Sequence, residues 1–547
     1  MNRPAARSLP FRKIPRQPEV FLKYLDADPD ILPFFRHRPT IEALRQSAGD
    51  VLLRTFPRSQ IADILRRQNE AFGGDDPVRR AIDDLEKPDS VAIVTGQQVG
   101  LFTGPVLTIY KALTALRLSE EMRHRGINAV PIFWMASDDH DLAEITQIAV
   151  CDPGANTRRL DARPALFGKA ALPPHPVGTI RLPESIERVL EEYAASFAGL
   201  ELGETVRTQL ASAYRPGNTF AGAFGRLMTD FLRGRGLVQF DPRDPDAKRL
   251  AAPVLLKALQ EVQGLRTRLA ERIRALEHSG LQAQVPALPR ATLVFYEAEG
   301  ERRLLVTKDG GFAIKDAGRN IGLEELSELA RSAPERFSPN VLLRPVVQDH
   351  LFPTIAYVGG PAEISYFAEV EPLYRFYDRP MPVVWPRSSF TVLDEQICSN
   401  LERRGLQLED CFQGDRHVTA EILKSVRPKC ETLLAALHER AEQGLSALKS
   451  NLSSVDPSLG PAADTIQRKL LHRVGSLRTR FINYEMRRDT VLADEVRSLM
   501  SHCCPNGNLQ ERELGAACLL ARYGPPLLDT LYRQIDLDSF SHQILCL

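Results

Sequence analysis

A chain of 547 residues is too long for one ordinary core, so two or three domains are expected. Its 70 Lys and Arg balance its 70 Asp and Glu, which removes the electrostatic reason to look for a nucleic acid or an anionic membrane as partner. The 43% hydrophobic and 26% charged residues are those of a soluble globular protein, and no apolar stretch approaches the roughly 20 residues that span a bilayer.

The N-terminus, "MNRPAARSLPFRKIPRQPEVF", is basic but lacks the apolar run of a secretory signal, so a cytoplasmic chain is expected. Residues 1–90 read as mostly helical, with polar or proline-containing joints at "DADPD" and "FGGDDPVRR". At residue 91 the pattern changes. "VAIVTG" is a short apolar run closed by a turn signal, which fits a buried parallel strand. From Pro105 onward Leu107, Ile109, Tyr110, Leu113, Leu116 and Leu118 follow helical spacing, with the proline in the first turn. "RGIN" ends that helix and "AVPIFWMA" reads as a second buried strand, completing a βαβ unit with a right-handed crossover.

Further strands are expected at "GLVQFDP" (236–242), "VLLRPVVQD" (341–349), "TIAYVGG" (354–360) and "MPVVWP" (381–386). Between them "TLVFYEAEGERRLLVTKDGGFAI" alternates and turns at "EGE" and "DGG", a small antiparallel meander inserted into the sheet domain. The segment from "DPDAKRL" to "ALEHSG" reads as one long helix bounding that insertion. From about residue 417 Leu423, Val426, Cys430, Leu433, Leu437, Ala441, Leu445, Leu448 and Leu452 recur at spacings of three and four. After the breaker "SSVDPSLGPAAD" the pattern resumes with Ile466, Leu470, Val474, Leu477, Phe481 and Tyr484. This is an antiparallel hairpin of coiled-coil type, and its exposed stripe predicts a homodimer.

The domains expected are a helical N-terminal part of the core (1–90), a Rossmann-like core with insertions at about 150–235 and 243–335 (91–416), the coiled coil (417–500) and a segment returning to the core (501–547). The eight cysteines, at 151, 398, 411, 430, 503, 504, 518 and 546, form no CxxC pair. They read as free thiols without a disulfide framework, the adjacent Cys503 and Cys504 as packing residues.

Three stretches carry chemistry. In α/β sheets of this class ligands bind beyond the carboxyl ends of the strands, so "TGQQVGLFTG" and "SDDHDLAEI" should border one crevice. The first is neither a Walker loop nor GxGxxG. Gly96, Gly100 and Gly104 let backbone approach a ligand, the helix N-terminus at Pro105 favours an anion, and Gln97 and Gln98 add uncharged amides. A turn built only for tight strand–helix packing is the alternative. In the second stretch His140 could act as general base or metal ligand, with Asp138 or Asp139 orienting it, or the loop could simply cap the helix from Leu142. No second His/Cys cluster has ligand spacing, so no metal is expected. In the third, 342–367, Arg344, Gln348, Asp349, Gly359, Gly360, Glu363 and Tyr366 resemble the parts of a small polar-substrate pocket. Arg344 either clamps a carboxylate or forms a structural salt bridge to Glu363 or Asp349. "PNGNLQER" (505–512) reads as a turn before a helix start, and it holds Asn506 and Arg512.

Together, "VTGQQVGLFTGPVLTIYKA", "PIFWMASDDHDLAEI", "NVLLRPVVQDHLFPTIAYVGGPAEISYFAEV" and "PNGNLQER" resemble the bacillithiol biosynthesis cysteine-adding enzymes, the cysteine ligases called BshC. The matching stretches run in order from roughly residue 90 to 515. That resemblance implies a Rossmann-type core like the nucleotidyltransferase domain of class I aminoacyl-tRNA synthetases, two connecting-peptide insertions and a coiled-coil arm that pairs subunits. It further implies joining of L-cysteine to the amine of glucosaminyl-malate through an amide. In that setting His140, Asp139 and Asp138 become catalytic candidates. Gln97, Gln98, Gly100, Gly104, Arg344, Gln348, Asp349, Gly360, Glu363, Tyr366, Asn506 and Arg512 become substrate-binding candidates. The synthetase histidine signature is absent from "TGPVLTIY", and "NLQER" supplies an arginine but no lysine. ATP or ADP therefore enters only as an activator or bound nucleotide, and a non-catalytic nucleotide-binding or regulatory protein is the alternative reading.

Overall fold

The computed structural model describes residues 6–151, 157–168, 174–286, 288–308, 310–317 and 319–547. At its centre five strands, β1 (Val91–Gln97), β2 (Ala129–Met135), β3 (Val238–Phe240), β4 (Thr354–Gly359) and β5 (Val383–Pro386), form a wholly parallel sheet in the order β5-β4-β1-β2-β3. Every residue of β2 and all of β1 except Gln97 are buried, which is why both read as unbroken apolar runs rather than alternating ones. From β1 the chain builds outward through β2 to β3, then returns to the other side of β1 for β4 and β5. The strand order thus reverses between β1 and β4, and the crevice beyond their carboxyl ends is the place where such sheets bind ligands.

The meander is larger than its sequence signal. Ala291–Ala298, Glu301–Lys308 and Gly311–Ile314 pair antiparallel, and Asn320–Ile321 and Phe337–Pro339 extend them to a five-stranded sheet. The single helix expected beside it is two, Pro245–Gln260 and Val262–His278, broken at Glu261, where ψ is 24°. A second correction concerns 341–349, which is not a strand. Arg344–Leu351 is helical, with Pro345 in its first turn; Val346, Val347 and Leu351 are buried in it, and Leu342 and Leu343 are buried in the turn before it. A short apolar run does not separate a buried strand from a buried helix, whereas proline at a first turn favours the helix.

The N-terminal region is not helical throughout. Ala6–Leu9 pairs antiparallel with His542–Cys546, which lies parallel to Ser389–Leu393. Beside this small sheet the absence of disulfides is also corrected: Cys398 and Cys546 are bonded, 148 residues apart in sequence. Their pairing depends on a helix and a terminal strand meeting in space, which spacing along the chain does not encode. Cys411, Cys503 and Cys504 are buried free thiols.

The arm consists of helices Pro428–Val455 and Leu459–Arg488, turning at 456–458. The helices before and after it, Asp415–Val426 and Thr490–Cys503, bury Leu423 and Leu499 and belong to the body rather than to the arm. Among the described residues no helix is long and apolar enough to cross a membrane.

Candidate active site

The glycine turn is built by close packing and still faces a cavity. A Cβ on Gly96 would lie 2.6 Å from the Trp134 carbonyl oxygen on β2, and one on Gly100 would lie 3.1 Å from the Gly104 Cα. Gly104 has φ 68° and ψ −158°, a region open essentially to glycine alone. Phe102 and Thr103 also carry positive φ, and the strained turn is held by stacking of Phe102 on Tyr193 at 4.6 Å and by the Tyr214 hydroxyl, which donates to the Gly100 carbonyl. The helix begins at Leu107 rather than at Pro105, and the Val106 N–H donates to the Leu514 carbonyl. Part of the helix N-terminus expected to receive an anion is therefore already occupied by protein.

The charged groups at the cavity come from side chains instead. A cavity of about 640 Å³ at the reversal point is lined by Gly96, Gln97, Gln98 and Lys111 from the β1 side, Glu144 and Arg159 beyond β2, and Arg344, Glu363, Arg387, Arg512 and Glu513 from later in the chain. Most of these charges are paired. Lys111 is buried and bonds Glu363 at 2.5 Å, the Gly96 carbonyl and Gln97 Oε1. Burial opposes ionisation of Glu363, but Lys111, the Gly360 N–H and the Tyr357 hydroxyl hold its pKa below the usual carboxylate value. Arg387 forms a buried two-point pair with Glu511, at 2.5 and 3.0 Å, and Arg159 pairs with Glu513.

Two guanidinium groups have no carboxylate partner among the described residues. Arg344 donates to Gln348 Oε1 at 2.9 Å and to the Tyr366 hydroxyl at 3.1 Å, and lies over the rings of Tyr357 and Trp134. Burial disfavours its charge, yet the oxygens of Tyr366 and Tyr357 and the Glu363 carboxylate raise its pKa above the ordinary arginine value. Arg512 lines the same cavity with no side-chain hydrogen bond or ion pair among the described residues.

A second cavity, about 780 Å³, adjoins the first and shares Trp134, Ala136, Val341 and Arg344 with it. It lies between the core, the helix Val262–His278 and the meander, and its walls are mainly apolar apart from Asp138, Asp139, His140, Arg266 and Arg302. Here the "SDDHD" loop divides into separate roles. Asp138 accepts from Lys248 at 2.7 Å and from Arg243 at 3.2 Å; burial opposes its charge, but these cations hold its pKa low. Asp139 accepts from the Gln98 amide and from the His140 N–H. Asp141 caps the helix Leu142–Ile145. His140 Nδ1 faces Arg302 at 3.0 Å, and because a guanidinium only donates, Nδ1 must accept. Burial and the Arg302 charge lower the His140 pKa, leaving a neutral ring with its proton on Nε2.

Residues 8–388 match the N-terminal Rossmann-like domain of bacillithiol biosynthesis BshC, and residues 390–547 match its C-terminal coiled-coil domain. The chain belongs to the BshC family. Relatives named "Putative cysteine ligase BshC" include one from Salinibacter ruber, 32% identical over 99% of this chain and 98% of its own. Others come from Koribacter versatilis, at 32% over 96% of both chains, and Solibacter usitatus, at 33% over 92% of both.

Within this BshC-family chain, Gln97, Gln98, Gly100, Gly104, Arg344, Gly360, Glu363, Tyr366 and Arg512 gather around the first cavity. Three other candidates stand behind its wall. Gln348 is fully buried and bridges Arg344 to Asp349, which also accepts from the Tyr374 hydroxyl. Asn506 donates to Glu513 at 2.9 Å, supporting the acid that holds Arg159. Neither alternative salt bridge of Arg344, to Glu363 or Asp349, is present. As for the catalytic candidates, Asp138 is ion-paired to Lys248 and Arg243, Asp139 accepts from Gln98 and the His140 N–H, and His140 Nδ1 accepts from Arg302. Lys111, Glu144, Arg159 and Arg387 escaped the sequence reading. Arg387 directly follows β5, so the rule that ligands bind at strand ends could have found it.

Proposed function

We propose that this protein is a cytoplasmic cysteine ligase of bacillithiol biosynthesis, joining the carboxyl of L-cysteine to the amine of glucosaminyl-malate, and that it works as a homodimer joined through its arm. Two guanidinium groups without a carboxylate partner among the described residues, Arg344 and Arg512, line one cavity at the sheet's reversal point and carry this reading. Malate presents two carboxylates, and a guanidinium fork is the side chain best matched to such a group. The family membership and the names of the relatives agree with it.

Amide formation from a free carboxylate is uphill in water, so cysteine must arrive activated, with a nucleoside triphosphate as the energy donor to be tried first. The neighbouring cavity offers room for the activated acyl donor, and the shared Arg344 and Trp134 mark the boundary where the reactants meet. His140 contributes there as a donor: Nε2–H can bond an acyl carbonyl oxygen as negative charge develops on it.

Purified protein incubated with L-cysteine, glucosaminyl-malate and ATP tests the assignment by mass spectrometry. A product of the acceptor mass plus a cysteinyl residue, dependent on all three, is expected. Absence of product together with absence of acceptor binding would overturn the reading.

A further inference from the structure

We propose that Glu144 is the base that takes the proton from the acceptor's ammonium nitrogen before it attacks the cysteinyl carbonyl. This rests on the ligase reading. Every other carboxylate lining the two cavities is already engaged. Glu363 is held by Lys111, Tyr357 and Gly360, and Glu513 by Arg159, Asn506 and Asn508. Asp138 is fixed by Lys248 and Arg243, and Asp139 by the Gln98 amide and the His140 N–H. His140 Nδ1 is engaged by Arg302.

Glu144 is different. It lines the first cavity and has no ion-pair partner among the described residues; only the Gln98 amide reaches its carboxylate. Its backbone is nonetheless well fixed, since its N–H donates to the Asp141 cap and the adjacent Ile145 is buried. Arg344 and Arg512 line the same cavity, so an acceptor whose malate carboxylates bind them places its amine within a space whose remaining unclaimed charge is acidic. Charged neighbours of Glu144 are Asp139 and Asp141 on its own loop, Lys111 from the helix after the glycine turn, and Arg159, Glu513 and Arg512 across the cavity lining. Glu144 is exposed at the rim of the cavity; partial desolvation first, then Asp139 and Asp141, raise its pKa, which makes it a stronger base than an unperturbed glutamate.

The step balances simply. One ammonium N–H bond breaks, its proton moves to a Glu144 oxygen, and the freed nitrogen lone pair forms the C–N bond; a second N–H bond then breaks, its electron pair returning to nitrogen and its proton passing to the departing oxyanion. The acyl donor is a cysteinyl mixed anhydride, whose phosphate-type oxyanion leaves with the former C–O bonding pair.

Glu144→Gln keeps size and hydrogen bonding while removing basicity. Steady-state rates for wild type and variant across pH, with melting curves, form the test, beside calorimetric titration of glucosaminyl-malate. For the wild type the rate should rise with pH as Glu144 ionises, at a pH above that of an ordinary glutamate. In Glu144→Gln the rate should fall about 100-fold or more and that rise should vanish, with melting unchanged. Wild-type turnover in the variant, or a slowed variant that keeps the same rise, would overturn the assignment while leaving the ligase reading intact. A wild type that neither binds the acceptor nor forms product would overturn both.

Discussion

At the scale of single residues the site depends on which charges are already satisfied. Lys111, Arg159 and Arg387 have carboxylates of their own, so removing any of them strands a buried or half-buried acid. Arg344 and Arg512 do not, and their charge is available to a ligand. Arg344→Ala and Arg512→Ala should each weaken glucosaminyl-malate binding by about 2–3 kcal/mol, the cost of one charge-assisted contact, with little change in melting temperature. Isothermal titration beside thermal melts checks this; undiminished affinity in both variants would return the two arginines to structural roles. A different residue governs how stability responds to pH. Glu369 is fully buried in the helix Pro361–Phe376, where one carboxylate oxygen accepts from the N–H groups of Gln284 and Val285 and the other has no partner among the described residues. Burial pushes its pKa up to about 7. An acid whose folded pKa is raised binds its proton more tightly folded than unfolded, so its stabilising contribution is complete at low pH and is lost as pH climbs to about 7. Melting temperature should therefore decline between pH 5 and pH 8 more steeply in the wild type than in Glu369→Gln, whose amide oxygen still accepts from the same N–H groups. Much of the first cavity's lining was legible from residue type and position at strand ends. Lys111 was not, because "TIYKA" reads as one helix, and only the fold shows that its ammonium turns back under the glycine turn.

Among elements, strands buried on both faces were readable because nothing in them needs to be polar, and β1, β2, β4 and β5 lie where their apolar runs are. The helix Arg344–Leu351 was misread for the same reason: "VLLRPVV" is as apolar as a strand, and only the proline at its first turn favours the helix. Long-range pairings were invisible. Ala6–Leu9, Ser389–Leu393 and His542–Cys546 form one sheet from three distant parts of the chain, and the Cys398–Cys546 bond follows from that meeting. The glycine turn belongs to this scale because its three glycines act together. Gly104 needs its backbone conformation and Gly96 its lack of a side chain against β2, so turn geometry rather than ligand contact accounts for both. Gly104→Ala should lower stability by about 1–3 kcal/mol in denaturant titration and should weaken acceptor binding through displacement of Gln97 and Gln98. A variant as stable as the wild type would show that the turn tolerates a side chain and that glycine serves the ligand alone.

For the whole molecule, the arm is where local structure is incomplete by itself. The helices Pro428–Val455 and Leu459–Arg488 pack on each other, yet Leu433 is 70% exposed, Ile466 54% and Leu477 53%, with Leu437, Leu448, Leu470 and Tyr484 also outward. A two-helix hairpin can bury only one seam, and these residues fall on the stripe left over. Burying each such side chain gains roughly 1.5–3 kcal/mol, so several per subunit meet the cost of association, and a second copy of the same arm offers a self-complementary stripe. The body contributes stability to its own helices, Asp415–Val426 and Thr490–Cys503, so a damaged arm should leave the core folded. Light scattering of the full chain should report a dimer. Introducing Ile466→Lys, Leu470→Lys and Leu477→Lys together should give a monomer with unchanged helical content and an intact cavity, still able to bind glucosaminyl-malate. A wild-type monomer, or a triple variant that stays dimeric, would place the subunit contact elsewhere or remove it.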